Sequence, residues 1–370
     1  MTPDDTALIA FTSGSTGQPK GVELTYRNLR STFDAFRLLL GSQEEGEVDM
    51  SALPALSLIS AALGRTCLVP EIDFARLATV DVGHLLKYFQ HHAVCKAFLS
   101  PILCSKIAEY TRRQPMQLPG TRVILTGGAP IPNPVSFAMT PLLPDGEFYT
   151  PYGATEVLPA TIIGAREILD ETAALTAQGK GVCVGRPLPQ TEIRIMRPVD
   201  GPVPSEKDIQ FLPPGEIGEI IIRAPQASPR YFGKARATRM AKIPCPDGGF
   251  WHRMGDLRYL DEQGRLWFCG RKKHQVQAAE QTYYLVCVEG IVNTLPFVRR
   301  SALVGVGRRG SQTPVLLIEP FGQPNPQQRE AWRQQTDGDT PRAPLLDSTH
   351  ALLPQGVSHR PAAQFQNRTA

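Results

Sequence analysis

The chain has 370 residues, of which 42% are apolar and 20% are charged, and its formal net charge is +4. This length allows two or more domains, and the small net charge argues against a dedicated nucleic-acid binder, which concentrates basic residues on one surface. No apolar run reaches the roughly 18 residues of a membrane span, and the N-terminus lacks the layout of a secretory signal. Seven scattered cysteines without a CxxC pair favour a reducing, cytoplasmic setting.

The first predicted elements are a strand, a glycine-rich loop and a helix. The apolar run Ala7–Phe11 is typical of a buried strand, and it leads into the loop FTSGSTGQPKG at 11–21. Over residues 26–40, apolar side chains recur at spacings of three and four, with Thr25 suited to the N-cap and Gly41 at the end. This pattern predicts an amphipathic helix.

Apolar runs then alternate with helical patterns between residues 52 and 126. This alternation indicates a largely parallel α/β sheet. The predicted strands and helices are Arg65–Val69, His84–Gln90, Lys96–Leu99, Ile102–Thr111 and Val123–Leu125.

From residue 181 the pattern changes to short strands separated by Pro/Gly turns, which predicts a more antiparallel, β-rich subdomain. Its predicted strands are Glu192–Met196, Glu219–Arg223 and Leu266–Cys269. Farther on, a helix is expected to open over Glu289–Thr294, followed by strands at Ala302–Gly305 and Val315–Glu319. The region 321–370 is rich in Pro, Gln and Arg without a sustained period, so we predict that it is disordered or aberrant.

The loop at 11–21 has the composition of a phosphate loop. Such loops need exposed backbone N–H groups, hydroxyl donors and a cation. These are supplied by Thr12, Ser13, Gly14, Ser15, Thr16, Gly17, Lys20 and Gly21. The Walker pattern of kinases and GTPases is excluded because Pro19 precedes the lysine and Gly21 follows it. Taken alone, the loop is also compatible with an ordinary solvent-exposed turn.

The loop resembles the phosphate loop of the adenylate-forming superfamily, which includes acyl-CoA synthetases, fatty-acyl-AMP ligases, luciferases and the adenylation domains of peptide synthetases. Later segments resemble further motifs of that superfamily, in the same order. They are TGGAP at 126–130, YGATE at 152–156, GEIGEI at 215–220 and HRMGDLRYLDEQGRLWFCGRKKH at 252–274. The resemblance implies an enzyme that joins a carboxylate to the α-phosphate of ATP and releases pyrophosphate, with Mg²⁺ as cofactor.

The same resemblance implies an α/β adenylate-forming fold that lacks most of the first subdomain and has a β-rich subdomain and a partial small C-terminal α+β domain. The expected domains are the nucleotide-binding part of the large domain at 1–180, its β-rich subdomain at 181–270, a partial C-terminal domain after the hinge at 271–320, and the tail at 321–370.

The resemblance also implies roles for individual residues. Thr12, Ser13, Ser15, Thr16 and Lys20, with Gly14 and Gly17, would hold the β- and γ-phosphates, and Glu156 would bind Mg²⁺. Thr155 would donate to the α-phosphate, Tyr152 beside Gly153 would stack on adenine, and Gly128 and Ala129 would form a flat wall. Asp256 would accept from the ribose hydroxyls, Arg271 would contact ribose and phosphate, and Lys273 would be the hinge. The implied catalytic set is Lys20, Thr155, Glu156 and Arg271.

Each of these residues also has a simpler interpretation. Asp256 taken singly fits a turn, Glu156 fits a solvated carboxylate at a helix start, and 271–273 fits a surface charge run. Trp251 and Trp267 are expected to pack in the core or at its rim rather than contact a ligand.

A finer resemblance lies in residues 141–161, 248–276 and 293–307, which resemble the β-lactone synthetases of bacterial long-chain olefin biosynthesis. It implies a long-chain 3-hydroxy fatty acid whose own hydroxyl closes the ring, so that no CoA is needed, and assembly with other enzymes of the olefin pathway. The segment 51–64 would be a tunnel wall or an ordinary core helix. The alternatives are an acyl-CoA or acyl-AMP ligase and a catalytically impaired nucleotide-binding fragment.

Both ends depart from the superfamily pattern. Only ten residues precede the loop, whereas relatives carry a first subdomain there. The last lysine of the chain is Lys273, whereas relatives carry a catalytic lysine near the C-terminus, and 275–282 reads QVQAAEQT where many relatives have a Lys-x-x-Gly run. The resemblance therefore implies a truncated gene product whose sequence diverges after about Glu319. We expect such a chain to bind nucleotide weakly and to adenylate poorly.

Overall fold

The computed structural model describes residues 1–12, 19–41, 44, 46–129, 131–325, 327–328, 331–332 and 350–351. The chain divides into two compact units, one formed by Met1–Thr176 with Lys180–Lys273 and the other by Ala177–Gly179 with His274–Ala370. The expected boundaries at 180, 270 and 320 remain predictions. Within the described part of the chain, every helix is too short or too polar to cross a lipid bilayer.

The first unit contains three sheets. Its strands are β1 (Thr6–Thr12), β2 (Lys20–Thr25), β3 (Val48–Ser51), β4 (Cys67–Leu68), β5 (Val94–Leu99), β6 (Val123–Thr126), β7 (Glu147–Ala154), β8 (Val157–Gly164), β9 (Val182–Cys183), β10 (Arg186–Pro187), β11 (Glu192–Met196), β12 (Gly218–Arg223), β13 (Arg230–Tyr231), β14 (Lys242–Pro244), β15 (Phe250–Leu260) and β16 (Leu266–Arg271). Its α-helices are α1 (Tyr26–Leu40), α2 (Pro54–Ala62), α3 (Val82–His91), α4 (Pro101–Arg113), α5 (Asn133–Met139), α6 (Ala165–Glu167), α7 (Ala173–Ala177) and α8 (Ala235–Ala241). Short 3₁₀ turns occupy Leu77–Thr79, Thr140–Leu142 and Glu206–Asp208, and a π-helical turn occupies Ile168–Thr172.

The chain begins with an antiparallel hairpin of β1 and β2, in which Thr12 lies opposite Lys20. A strand was predicted here, but its predicted burial is wrong, because Leu8 and Phe11 are 47% and 72% exposed. The physical reason is that, among the residues that the structure describes, β1 is the outer strand of a three-stranded sheet and pairs only with β2, whose other edge pairs with β13. An apolar composition alone does not distinguish such an edge strand from a buried one.

The predicted α/β sheet is confirmed as a seven-stranded sheet in the order β10-β8-β7-β6-β5-β3-β4. Strands β3 to β7 pair in parallel, whereas β8 and β10 pair antiparallel. Leu85, Leu103 and Met139, from α3, α4 and α5, are fully buried members of one core cluster. A second cluster joins Phe36 of α1 to Phe98 of β5.

Helix α1 has the predicted limits. The Thr25 side chain accepts from the backbone N–H of Asn28, and the Asn28 side chain accepts from the backbone N–H of Thr25, which satisfies two donors at the helix start. Gly41 ends the helix at a φ of +66°, where glycine is favoured. In the segment 51–64, Ile59 of α2 is buried with α1, whereas Leu58 is 63% exposed.

The predicted β-rich region is confirmed as an antiparallel sheet in the order β11-β12-β15-β16-β9, with β14 also paired to β15. Trp251 and Trp267 lie on strands of this sheet and are buried. Their indole N–H groups donate to Glu206 and Asp261 respectively. Both tryptophans therefore pack in the fold, as the sequence predicted.

The second unit contains β17 (Val276–Gln277), β18 (Thr282–Tyr283), α9 (Leu285–Val292), β19 (Val298–Val306), β20 (Thr313–Pro320) and β21 (His350–Ala351). Helix α9 begins at Leu285, about one turn before the predicted Glu289. Its first turn includes Val288, which is buried in the core of this unit. The predicted disorder of 321–370 falls mostly outside the described residues. Within them, His350–Ala351 pairs in parallel with β20.

Candidate active site

The YGATE motif forms the end of one strand and the tight turn that follows it. Thr155 and Glu156 lie between β7 and β8, which pair antiparallel with Ala154 opposite Val157. A Cβ atom at Gly153 would lie 2.6 Å from the backbone oxygen of Val157, so only glycine allows this close approach. The interpretation of Glu156 as a helix-start carboxylate is wrong, because the residue lies in a hairpin turn.

Tyr152 and Asp256 connect the two large sheets of the first unit. The Tyr152 hydroxyl donates to Oδ2 of Asp256 at 2.8 Å. Arg271, which lies opposite Asp256 on β16, places Nη1 2.7 Å from Oδ1. Asp256 is 2% exposed, whereas the Arg271 side chain is half exposed. Burial, and then the neighbouring Asp256 carboxylate, raise the pKa of Tyr152, so its hydroxyl remains a donor at neutral pH.

Arg258 is a second basic residue at this carboxylate, and unlike Arg271 it is buried. Its Nη2 donates to Oδ2 of Asp256 at 3.1 Å, and its Cζ lies 3.7 Å from the ring centroid of Tyr152. On β16, the Phe268 ring centroid lies 4.3 Å from the same Cζ. The carboxylate thus has a tyrosine hydroxyl and two guanidinium groups around it.

Glu156 is held by the segment 228–231. The Tyr231 hydroxyl donates to Oε1 of Glu156 at 2.6 Å, and the backbone N–H of Ser228 donates to the backbone oxygen of Glu156 at 2.8 Å. Nζ of Lys20 lies 5.1 Å from the Tyr231 ring centroid, within the range of a cation–π interaction. Burial and the Glu156 carboxylate raise the pKa of Tyr231, which keeps this hydroxyl protonated.

A buried basic pair lies behind this segment. Lys242 and His252 are opposite each other on β14 and β15, and each is almost fully buried. Nζ of Lys242 donates to the backbone oxygen of Ser228 and lies 4.9 Å from the Phe250 ring centroid. Burial lowers the pKa of Lys242 to about 7, and burial with the Lys242 charge lowers that of His252. Both groups therefore lose much of their positive charge near neutral pH.

The remaining predicted residues have different positions. Gly128, at a φ of +95°, and Ala129 are exposed and follow the carboxyl end of β6, beside the strand that carries Tyr152. Lys273 is exposed at the division between the two units. Thr12 and Lys20 lie opposite each other at the base of the loop. Ser13, Gly14, Ser15, Thr16 and Gly17 lie outside the described residues.

The structure therefore brings Tyr152, Asp256 and Arg271 together in one cluster. In a second cluster, Glu156 and Lys20 both contact Tyr231. Sequence reasoning missed Tyr231, Lys242 and Arg258. A signal existed for Arg258, because a charge two residues after Asp256 on a strand projects to the same face. Nothing local marks Tyr231, whose partner Glu156 is 75 residues away.

Comparison with known proteins gives the same assignment as the motifs. Residues 1–232 match the AMP-binding enzyme family. The chain is 43% identical to the olefin β-lactone synthetase of Xanthomonas campestris over 85% of its own length and 57% of that protein. It is 40% identical to the olefin β-lactone synthetase of Stenotrophomonas maltophilia over 96% of its own length and 65% of that protein. The chain thus spans about three fifths of the length of these relatives.

Solved structures show the same fold. The o-succinylbenzoate CoA synthetase of Bacillus subtilis, solved with its acyl-adenylate intermediate, matches 95% of this chain and 66% of its own at a TM-score of 0.72 and 22% identity. The amide bond synthetase of Marinactinospora thermotolerans matches 90% of this chain and 63% of its own at a TM-score of 0.70 and 23% identity. The family match over residues 1–232 shows that the chain belongs to the AMP-binding family of adenylate-forming enzymes.

Proposed function

We propose that this chain binds ATP and activates a carboxylic acid as its acyl adenylate, with release of pyrophosphate. The observation that carries the proposal is the Tyr152–Asp256–Arg271 cluster. Its tyrosine lies on the same hairpin as Thr155 and Glu156, which come three and four residues after Tyr152. The proposed nucleoside site and the proposed phosphate site thus share the β7–β8 hairpin.

The chemistry of the cluster suits the nucleoside. Asp256 is an acceptor-only carboxylate, which matches two neighbouring hydroxyl donors such as those of ribose. Tyr152 offers a half-buried aromatic ring beside it, suited to a purine. Arg271 is half exposed, so its guanidinium has room to turn from Asp256 toward an α-phosphate.

The β7–β8 turn and the base of the 11–21 loop suit phosphates. The reaction brings a carboxylate to a phosphate, so positive charge and hydrogen-bond donors must offset the repulsion between two anions. Lys20 supplies a charge, and Thr155 supplies a hydroxyl in the turn. The loop between β1 and β2 begins and ends at the base formed by Thr12 and Lys20. We propose that these groups bind the β- and γ-phosphates and the departing pyrophosphate.

Glu156 fits a Mg²⁺ ion that arrives with ATP. Mg²⁺ usually takes one or two protein carboxylates together with phosphate oxygens and water. Tyr231 donates to Oε1 of Glu156, and the other carboxylate oxygen, Oε2, would be the one to bind the ion. No group of three His, Cys, Asp or Glu side chains suited to a metal occurs among the described residues, in keeping with an ion held mainly by substrate phosphates. When bound, Mg²⁺ would offset phosphate charge.

We further propose that the acid is a long-chain 3-hydroxy fatty acid that closes to a β-lactone. The support is the 40–43% identity to two proteins named olefin β-lactone synthetase. Since the nucleophile is tethered to the acyl group, ring closure needs no thiol. Assembly with other enzymes of the olefin pathway and a cytoplasmic location belong to the same proposal.

A second candidate is an acyl-CoA or acyl-AMP ligase. The feruloyl-CoA synthase of an Amycolatopsis species is 31% identical over 82% of this chain and 57% of that protein. The candidates differ in the nucleophile that takes the acyl group from AMP. A third candidate, a nucleotide-binding protein with impaired catalysis, keeps the site but loses the first half-reaction.

The test is ATP–pyrophosphate exchange by the 370-residue chain, with a long-chain 3-hydroxy acid and with the same acid lacking the hydroxyl. Mass spectrometry then identifies the product with and without CoA. A β-lactone formed without thiol supports the proposal, whereas a thioester formed only with CoA supports the ligase. AMP binding without exchange supports the impaired protein. Lys20→Gln should abolish exchange, and Lys207→Gln, a change at an exposed lysine, should leave it unchanged.

A further inference from the structure

Arg258 is the most buried arginine of the first unit, with 1% of its surface exposed. A buried charge costs several kcal/mol unless partners compensate for it, and an apolar side chain often packs there without that cost. Within the described residues, the Nε and Nη1 atoms of Arg258 have no hydrogen-bond partner. A contribution to folding stability therefore does not explain why an arginine occupies position 258.

The interactions that Arg258 does make all lead to the proposed nucleoside site. Its Nη2 bonds Oδ2 of Asp256, the same oxygen that accepts from Tyr152. Its guanidinium lies 3.7 Å from the Tyr152 ring centroid and 4.3 Å from that of Phe268. One side chain thus contacts both the ring and the carboxylate that are proposed to meet base and ribose.

The strand register explains how Arg258 reaches both groups. Asp256 and Arg258 are two residues apart on β15, so their side chains project to the same face. Their cross-strand partners on β16 are Arg271 and Phe268, and the register shifts between Leu257 and Arg258. Phe268 therefore supports the guanidinium from the neighbouring strand, and Arg258 supports Tyr152, which comes from the other sheet.

We propose that Arg258 is a positioning residue that fixes Tyr152 and Asp256 in the relative orientation that accepts a ribonucleoside, and so sets the preference for ribose over 2′-deoxyribose. This inference rests on the proposed function. Arg258 does not touch the nucleotide. It acts through a planar guanidinium that stacks on the tyrosine and pairs with the carboxylate, which a lysine cannot do at once.

The experiment measures binding of AMP and 2′-deoxy-AMP to the full chain by calorimetry. The variants are Arg258→Met, Arg258→Lys and Arg265→Met. Arg265 is a matched control, because it is also buried, pairs with Asp261, and lies 5.8 Å from the ring centroid of Trp267, a residue outside the proposed site. Melting temperatures report the stability of each variant.

The wild type should bind AMP about tenfold or more tightly than 2′-deoxy-AMP, the ratio expected for a hydrogen bond to a charged group. Arg258→Met should reduce this ratio to about threefold or less, and Arg258→Lys should give an intermediate ratio. Arg265→Met should lower the melting temperature and leave the ratio unchanged. Since the lysine variant keeps the charge, it tests the inference even if the methionine variant does not fold.

Two outcomes would overturn the inference alone. One is an unchanged ratio with unchanged affinities in both Arg258 variants. The other is an unchanged ratio with an equal loss of affinity for both nucleotides, which indicates a merely structural role. A wild-type chain that binds neither nucleotide would overturn the proposed function and the inference together.

Discussion

The hydroxyl of Tyr231 donates to Oε1 of Glu156 at 2.6 Å, and Nζ of Lys20 lies 5.1 Å from the centroid of the same ring. One tyrosine thus contacts the candidate metal ligand through its hydroxyl and the lysine at the end of the candidate phosphate loop through its face. Because β13 pairs with β2, the sheet itself holds Tyr231 opposite Val22, two residues after Lys20. The candidate metal ligand and the candidate phosphate-binding lysine are therefore connected through a residue that need not touch the phosphates.

Replacing this hydroxyl should weaken the site without unfolding it. We expect Tyr231→Phe to raise the MgATP concentration needed for half-maximal exchange by about tenfold or more, since one hydrogen bond to a charged group is lost. The measurement is pyrophosphate exchange as a function of MgATP. Tyr259→Phe is the control, because it also loses one bond, from Tyr259 to the backbone oxygen of Lys180 at 2.9 Å. Equal effects of the two variants would contradict the prediction.

The buried Lys242 should make stability depend on pH in the alkaline range. Its pKa in the folded chain is about 7, against an ordinary value of 10.5, so the unfolded chain binds more protons between these values. The contribution of Lys242 to folding stability should therefore improve as pH rises from 7 to 10.5.

Lys242→Met should remove this contribution. The unfolding free energy of the wild type, relative to that of the variant, should increase by about 2 kcal/mol or more from pH 7 to pH 10. Urea unfolding at several pH values measures it, with Lys234→Met, a change at an exposed lysine, as control. A difference that does not vary with pH would show that Lys242 is charged in the folded chain at pH 7.

Arg253 lies within the 252–274 motif but has a structural role. Its Nη2 and Nε lie 2.8 and 3.1 Å from the two carboxylate oxygens of Glu219, and both side chains are almost fully buried. We expect Arg253→Met to lower the unfolding free energy by about 3–5 kcal/mol, because it leaves a buried carboxylate with a missing partner. Lys272, whose Nζ lies 3.1 Å from Glu219, limits the loss.

Calorimetry with AMP separates this effect from the nucleotide site. The affinity of folded Arg253→Met for AMP should equal that of the wild type. The double variant Arg253→Met with Glu219→Leu should recover part of the stability, since no buried carboxylate then remains. A lower AMP affinity with unchanged stability would assign Arg253 to the site instead.

Gly153 should tolerate no side chain. A Cβ atom there would lie 2.6 Å from the backbone oxygen of Val157 and 2.9 Å from Cδ1 of Leu158, so the hairpin that carries Thr155 and Glu156 must shift. We expect Gly153→Ala to lower the melting temperature and to reduce exchange by about tenfold or more. Gly201→Ala is the control, because a Cβ atom at Gly201 meets nothing within 4 Å. Wild-type activity in Gly153→Ala would contradict the proposed importance of this turn.

Much of the local structure followed from the sequence. Helix α1, with Thr25 and Gly41 at its ends, follows from short-range periodicity and capping chemistry. The change from a mostly parallel sheet to an antiparallel one follows from the spacing of apolar runs and turns. The family followed from four ordered motifs. The nucleotide contacts of Tyr152, Asp256 and the other site residues remain predictions.

Only the tertiary structure decided the contacts between segments that are distant in the chain. Tyr152 and Asp256 are 104 residues apart, and their hydrogen bond exists because the tertiary structure brings β7 of one sheet within side-chain reach of β15 of another. The support of Glu156 by Tyr231, the burial of Lys242 and the exposure of β1 depend in the same way on which strands become neighbours. Periodicity and capping act over a few residues and can be read along the chain. Strand neighbours are selected by the packing of the whole unit, and no local pattern encodes them.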